Sequence, residues 1–314
     1  MGWAFAITPD NRFILSTDGF EYGHVRVRDF TTMALVRTIE ICGWHKPVHI
    51  VPAPDNQHII FCEHDAYHLV EDTLCVFNLL NGSFVSRCAL EGAEYPVIAS
   101  DGQVVFTFAS GTGLAIWDWQ ADSQAHILFD GPQDEMCFTR TVIPEGNKGV
   151  VTHYPISVRP SRIEYKRPAQ LRIWDLHTGQ VMRTFTGYQR AAALPGGQRL
   201  VTIAEESGAV TILNIQSGQV ERIMDDRASV PRLPWSGELI VTPDGRYAIA
   251  HLPTAKASEP ERLGIWDLHK GRLDYSLPWK SYEAMAMTSD GRYLLKDPGS
   301  ERWDLQERGS VTVP

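Results

Sequence analysis

The chain has 314 residues, of which 43% are apolar, 21% charged and 10% aromatic, and its formal net charge is −9. That mixture excludes a disordered chain, and the length suits a closed all-β architecture folded as one unit. The acidic total argues against non-specific binding of nucleic acid or anionic lipid through overall charge.

The first residues, Met1 to Ile7, are too short an apolar run for a signal peptide and stop at Thr8-Pro9-Asp10. Met1-Gly2 has Ala6 where a myristoylation site needs Ser or Thr. No run reaches the roughly 18 apolar residues of a membrane span, so no membrane association is expected. Five cysteines, Cys42, Cys62, Cys75, Cys88 and Cys137, form no CxxC pair. They read as reduced, mostly buried thiols of an intracellular, cytoplasmic protein.

From Ala4 onward two signals alternate. The strand Ala4–Ile7 runs into the turn Pro9-Asp10-Asn11, then the strand Phe13-Ile14-Leu15, an insertion from Asp18 to Gly23, and a strand ending Val27-Arg28-Asp29. The second repeat carries Pro54-Asp55-Asn56, Ile59-Ile60-Phe61, an insertion from Glu63 to Asp72, and Val76-Phe77-Asn78. Asn81-Gly82-Ser83 fits a glycosylation acceptor but reads as turn chemistry. The third repeat has Ser100-Asp101-Gly102, Val104-Val105-Phe106 and Ile116-Trp117-Asp118. The fourth has Pro144-Glu145-Gly146, an insertion from Tyr154 to Gln170, Ile173-Trp174-Asp175 and the strand Val181–Phe185. The fifth has Pro195-Gly196-Gly197, Leu200-Val201-Thr202 and Ile212-Leu213-Asn214. The sixth has Pro243-Asp244-Gly245, Tyr247-Ala248-Ile249, an insertion from Pro253 to Glu261, and Ile265-Trp266-Asp267. The seventh has Ala284–Met287, Ser289-Asp290-Gly291, Arg302-Trp303-Asp304 and a last strand near Val311-Thr312-Val313.

Each signal has a physical meaning. Pro presets φ, Asp bonds its own backbone, and Gly or Asn tolerates positive φ, so the first is a tight turn. The second is an apolar strand closed by an Asp or Asn cap. β-Branched and aromatic runs flank both, which gives four strands per repeat, a to d, and no helical period with caps. The boundaries fall near 1–40, 41–91, 92–131, 132–187, 188–229, 230–280 and 281–314.

Ile-Trp-Asp-Leu-x-x-Gly at Ile173–Gly179 and Ile265–Gly271, with Thr242-Pro243-Asp244-Gly245, resembles WD-repeat proteins over essentially the whole chain. The resemblance implies an all-β, seven-bladed β-propeller of four-stranded antiparallel blades. The family's Gly-His pair before strand a is missing: Gly43-Trp44-His45, Gly92-Ala93, Gly131-Pro132 and Gly187-Tyr188 stand in its place. The repeats are degenerate, and packing is expected to replace the family's buried His–Asp network. Trp117, Trp174, Trp266 and Trp303 are expected in the core. Strand a opens the chain and strand d closes it, so the first and seventh blades each look self-contained. Either their seam closes by packing alone, or the chain is a domain of a longer protein.

The a–b and c–d turns are short, and all four insertions lie in b–c connections, hence on one rim, the expected binding face. The fourth supplies Tyr154, Arg159, Arg162, Tyr165, Lys166 and Arg167, a residue mixture enriched at protein interfaces. It is expected to dock a protein partner, with a plain solvated loop or an inserted hairpin as the alternatives. Nucleic acid is not expected, because no recognition motif accompanies the basic residues. The second insertion holds His64, Asp65, His68, Glu71 and Asp72 after Cys62. Its spacing matches no metal motif, so it reads as a hydrated acidic loop.

No catalytic motif is present, and no cofactor is expected. The expected function is a non-enzymatic interaction scaffold or ligand-sensing propeller. Its repeats are similar to the C-terminal propellers of NACHT- or STAND-type signalling ATPases, which implies a larger intracellular signalling protein whose other domains are also candidate partners. The alternative is a metal-dependent hydrolase with its site in the central channel. For that, strand a offers only His49, Arg140, Arg190 and Glu283.

Overall fold

A computed structural model describes residues 5–17, 23–41, 45–65, 73–90, 92–99, 101–108, 113–121, 123–130, 135–143, 147–159, 162–165, 168–224, 239–252, 262–279, 285–296 and 301–312. The first blade contains β1 (Phe5–Ile7), β2 (Phe13–Ser16), β3 (His24–Asp29) and β4 (Leu35–Glu40), and the second β5 (His45–Pro52), β6 (His58–Asp65), β7 (Thr73–Asn78) and β8 (Phe84–Arg87). The third contains β9 (Glu94–Ile98), β10 (Val104–Phe108), β11 (Gly113–Trp117) and β12 (His126–Asp130). The fourth contains β13 (Glu135–Ile143), β14 (Lys148–Arg159), β15 (Arg162–Tyr165), β16 (Gln170–Asp175) and β17 (Gln180–Thr186). The fifth contains β18 (Tyr188–Ala193), β19 (Arg199–Ala204), β20 (Val210–Asn214) and β21 (Val220–Ile223), and the sixth β22 (Leu239–Val241), β23 (Tyr247–Leu252), β24 (Arg262–Asp267) and β25 (Arg272–Pro278). The seventh contains β26 (Met285–Met287), β27 (Tyr293–Lys296), β28 (Glu301–Asp304) and β29 (Gly309–Thr312).

Each blade is an antiparallel meander whose strands pair in chain order, with β15 added to the fourth, so the fold is the expected seven-bladed β-propeller. No helix among the described residues is long and apolar enough to cross a membrane. Two compact units divide the chain, residues 1–127 with 282–314, and residues 128–281.

The turn chemistry is as expected, with one addition. In the first a–b turn Arg12 N donates to Asp10 Oδ1 at 3.0 Å. Thr8 Oγ1 donates to the same oxygen at 2.6 Å while accepting Phe13 N at 2.9 Å. The pattern recurs at Thr242 with Asp244 and at Thr288 with Asp290. At the c–d turns the carboxylates of Asp29, Asp118, Asp175, Asp267 and Asp304 each accept two backbone N–H groups, as does the amide oxygen of Asn78.

The core lies between blades. Leu15, Val27 and Ile39 of the first blade pack with Ile59, Phe61 and Phe77 of the second. Ile60, Leu74 and Val76 of the second pack with Phe106 and Trp117 of the third. In the other unit Ile173 and Phe185 pack with Leu200 and Leu213, and Val201 and Ile203 with Ala248 and Trp266. Trp117, Trp174 and Trp266 are buried, while Trp303 is half-buried. Gly264 is required by this packing, because a Cβ there would stand 2.6 Å from the Trp266 ring. Cys62, Cys75, Cys88 and Cys137 are buried cysteines. Cys42 lies outside the described residues.

Polar links supplement this packing. Arginines of the outer strands reach the c–d turn of the following blade: Arg37 Nη1 donates to Asn81 O at 3.1 Å, Arg183 Nη2 to Gln216 O at 2.6 Å, and Arg222 Nη1 to Leu268 O and His269 O at 3.0 and 2.8 Å. Three a–b turns, those of the seventh, first and second blades, link as well. Asn11 and Asn56 adopt φ of 57° and 58°; Asp10 N donates to Asn56 Oδ1, and Ser289 N to Asn11 Oδ1. A glycine satisfies the same φ but has no side-chain oxygen to accept these N–H groups.

The seam between the seventh and first blades lies within one unit. Phe5 and Ile14 pack with Ala286 and Leu295. The Arg302 guanidinium covers the Phe30 ring at 4.1 Å and donates to Phe30 O and to Met33 Sδ. Each blade supplies all four of its own strands, so among the described residues the seam closes by packing and these links, without an exchanged strand.

Candidate functional site

The insertion of the fourth blade is a hairpin. β14 is 12 residues long, twice the length of its partner β16. Its first half pairs with β16 (Lys148↔Asp175 to His153↔Gln170), and β13 follows it as far as Glu135↔Pro155. Beyond that it pairs with β15, from Ile156↔Tyr165 to Arg159↔Arg162. One unbroken strand therefore runs from the blade into the hairpin, the second of the alternatives weighed from sequence. Arg159 and Arg162 face each other in register at the last pair, and Tyr165 sits opposite Ile156. Lys166 and Arg167 lie outside the described residues. Tyr154 is buried, with its hydroxyl donating to Gln189 O at 3.1 Å and its ring edge-on to Phe138. Its side chain belongs to the blade, not to a binding surface.

Sequence reasoning missed what anchors the base of the hairpin. The fully buried His153 ring meets three groups at one nitrogen: Nδ1 lies 3.1 Å from Cys137 Sγ, 3.1 Å from Arg172 Nη1 and 3.4 Å from Glu135 Oε2. Arg172 grips Glu135 with two nitrogens at 3.0 and 3.1 Å, and Gln170 Oε1 with its Nε and Nη2. Phe129 stands edge-on to the imidazole, and Trp174 stacks on it. The hydrogen bond with His153, then the Arg172 guanidinium, holds the Glu135 carboxyl down to about 2. Burial lowers the His153 pKa. Burial, reinforced by the Glu135 charge, pushes the Cys137 thiol up to about 12.

This cluster has the residue types of a Cys–His–Glu triad but the wrong wiring. A triad base takes the nucleophile on one ring nitrogen and its orienting carboxylate on the other. Here both address Nδ1, and Nε2 is enclosed without a partner. A thiol with a pKa near 12 is protonated at neutral pH, and the protonated thiol is not the nucleophile. Metal binding is opposed by the arginine that already occupies the carboxylate. The arrangement locks β13, β14 and β16 together where the hairpin leaves the blade.

The other candidates are placed as follows. His49 is exposed on β5, at φ 52°, with its ring 4.7 Å from Tyr95. Arg190 is buried on β18. The Arg140 side chain and Glu283 are outside the described residues. In the second blade, β6 continues through Asp65, so Glu63 is not part of a loop: it is buried and bridged by Arg87 at 2.6 Å. His68, Glu71 and Asp72 lie outside the described residues, as do the insertions at 18–22 and 253–261.

No known family model matches the chain, and no curated protein matches its sequence. Its fold is widely shared, since 904 solved chains resemble it. A chain of hydrazine synthase from Kuenenia stuttgartiensis aligns with a TM-score of 0.63 at 12% identity, over 99% of this chain and 94% of that one. A chain of the mitotic checkpoint complex aligns with a TM-score of 0.68 at 12% identity, over 93% and 82%. Dihydro-heme d1 dehydrogenase aligns with a TM-score of 0.57 at 14% identity, over 88% and 57%. At such identities the likeness carries the propeller fold and no activity.

Proposed function

We propose that this propeller is a non-enzymatic interaction module that docks a protein partner through the hairpin of its fourth blade. The supporting observation is the hairpin itself, a continuation of a core strand with Arg159 and Arg162 in register at its last pair. Like charges directly opposite each other weaken a hairpin on its own, so the pair favours an acidic partner surface. A segment already paired as strands binds with less ordering cost than a loop that must order on binding. The wiring of the Cys137 cluster, which is unsuited to catalysis, supports the same reading. The resemblance to WD repeats and to NACHT- or STAND-type propellers agrees with a cytoplasmic sensor or scaffold in a larger signalling protein.

The test is affinity capture with the whole chain and with the Arg159→Ala/Arg162→Ala/Lys166→Ala/Arg167→Ala variant. The expected result is loss of a defined partner with unchanged thermal stability. An identical partner set for the two proteins overturns the docking role of the hairpin.

A further inference from the structure

At the opposite end of the blades from the hairpin, where the a–b and c–d turns lie, a cleft of about 220 Å³ separates the fifth and sixth blades. Ile212 and Leu268, both nearly buried, line it together with Arg199, Arg222, His269 and Glu221. The four polar residues are all exposed.

Three nitrogen-bearing side chains converge here on a protein whose net charge is −9. They are largely unspent. Arg222 engages only Nη1, with Leu268 O and His269 O, so its position is fixed while Nε and Nη2 remain without a hydrogen bond among the described residues. Arg199 has only a long contact, 3.9 Å, with Glu221 Oε2. The His269 ring makes no hydrogen bond among the described residues. The single opposing charge, Glu221, is partly occupied, because its Oε1 accepts Asn214 Nδ2 at 2.7 Å.

We propose that this cleft binds a phosphate group carried by a small molecule. Planar guanidinium groups match tetrahedral oxyanions by bidentate hydrogen bonds. The bound dianion takes the place of Glu221 as the counter-charge of Arg199, and Ile212 and Leu268 give an apolar floor to the group carrying the phosphate. At about 30 Å³ per water-sized unit, the volume holds a phosphate with a few carbon atoms. That is smaller than the roughly 300–1,000 Å³ pockets of larger ligands.

Calorimetric titration of the whole chain with inorganic phosphate and with glycerol phosphate tests the assignment, with acetate as the carboxylate arm. Saturable one-to-one binding of either phosphate is expected. Arg199→Gln weakens it up to about fivefold, and Glu221→Gln tightens it, at the scale of an exposed charge pair. Both residues are exposed, and unchanged melting temperatures verify that the variants remain folded. Absence of saturable phosphate binding overturns the proposal, as do equal affinities in all three proteins. Equal binding of acetate overturns the choice of phosphate.

Discussion

Removing Arg302 opens the seam between the seventh and first blades. Its guanidinium is buried, covers the Phe30 ring, and donates to Phe30 O and Met33 Sδ. A hydrogen bond from a charged group contributes about 1.5–3 kcal/mol, and a desolvated cation–π contact about 1–2 kcal/mol. Against this, Arg302 Nε is buried without a partner, an unsatisfied donor that costs about 1–3 kcal/mol and disappears with the side chain. The balance for Arg302→Ala, including the lost packing of the stem, is a destabilisation of about 2 kcal/mol. Arg302→Met keeps the stem and loses about half as much. Urea titration followed by circular dichroism gives the stability, and hydrogen exchange locates the change. Protection should fall first in β1, β27 and β28. An Arg302→Ala midpoint equal to that of the parent protein, or exchange that rises uniformly in all blades, would refute the role assigned to this residue.

Two further outcomes follow from packing and charge. Gly264→Ala forces a methyl group against the fully buried Trp266; overpacking of this kind costs about 1–3 kcal/mol. Thermal melts should show that loss and its partial recovery in the Gly264→Ala/Trp266→Phe double variant. The Glu135 carboxyl is lowered from 4.5 to about 2 in the folded protein. Its stabilisation is therefore complete above about pH 4.5 and is lost as the pH falls through about 2. Between those values the urea midpoint of the parent protein should fall more steeply than that of Glu135→Gln, and parallel slopes would contradict the proposed ion pair.

The repeating turns made most of the fold legible. Pro-Asp-Gly and Trp-Asp act within four or five residues, so their hydrogen bonds are implied by adjacency alone. The buried cluster was not legible in the same way. Glu135, His153, Gln170 and Arg172 come from three strands, and nothing local tells a histidine that it will meet a thiol sixteen positions away. Strand alternation puts Tyr154 on the face opposite His153. The sequence starts the insertion at Tyr154, whereas its side chain packs into the blade and donates to Gln189 O. Similarly, Glu63 stands in sequence beside an acidic insertion, and the arginine at position 87 that pairs with it is invisible at that distance along the chain. The substitution of Asn for Gly in two turns was visible, but its use as a link between blades depends on which turns are neighbours in space.

The arginines of the outer strands have one more consequence. β4, β17 and β21 are open sheet edges, and beside Arg37, Arg183 and Arg222 they expose Val36, Met182 and Ile223 at 53%, 52% and 61%. An unpaired edge with such residues is a template for intermolecular strand pairing, and an interspersed charge is the usual gatekeeper against it. Each of these side chains thus guards solubility as well as joining two blades. Replacing one by a neutral residue would loosen a blade and unmask an adhesive edge at once, so self-association of such variants would outrun what their lost stability alone explains.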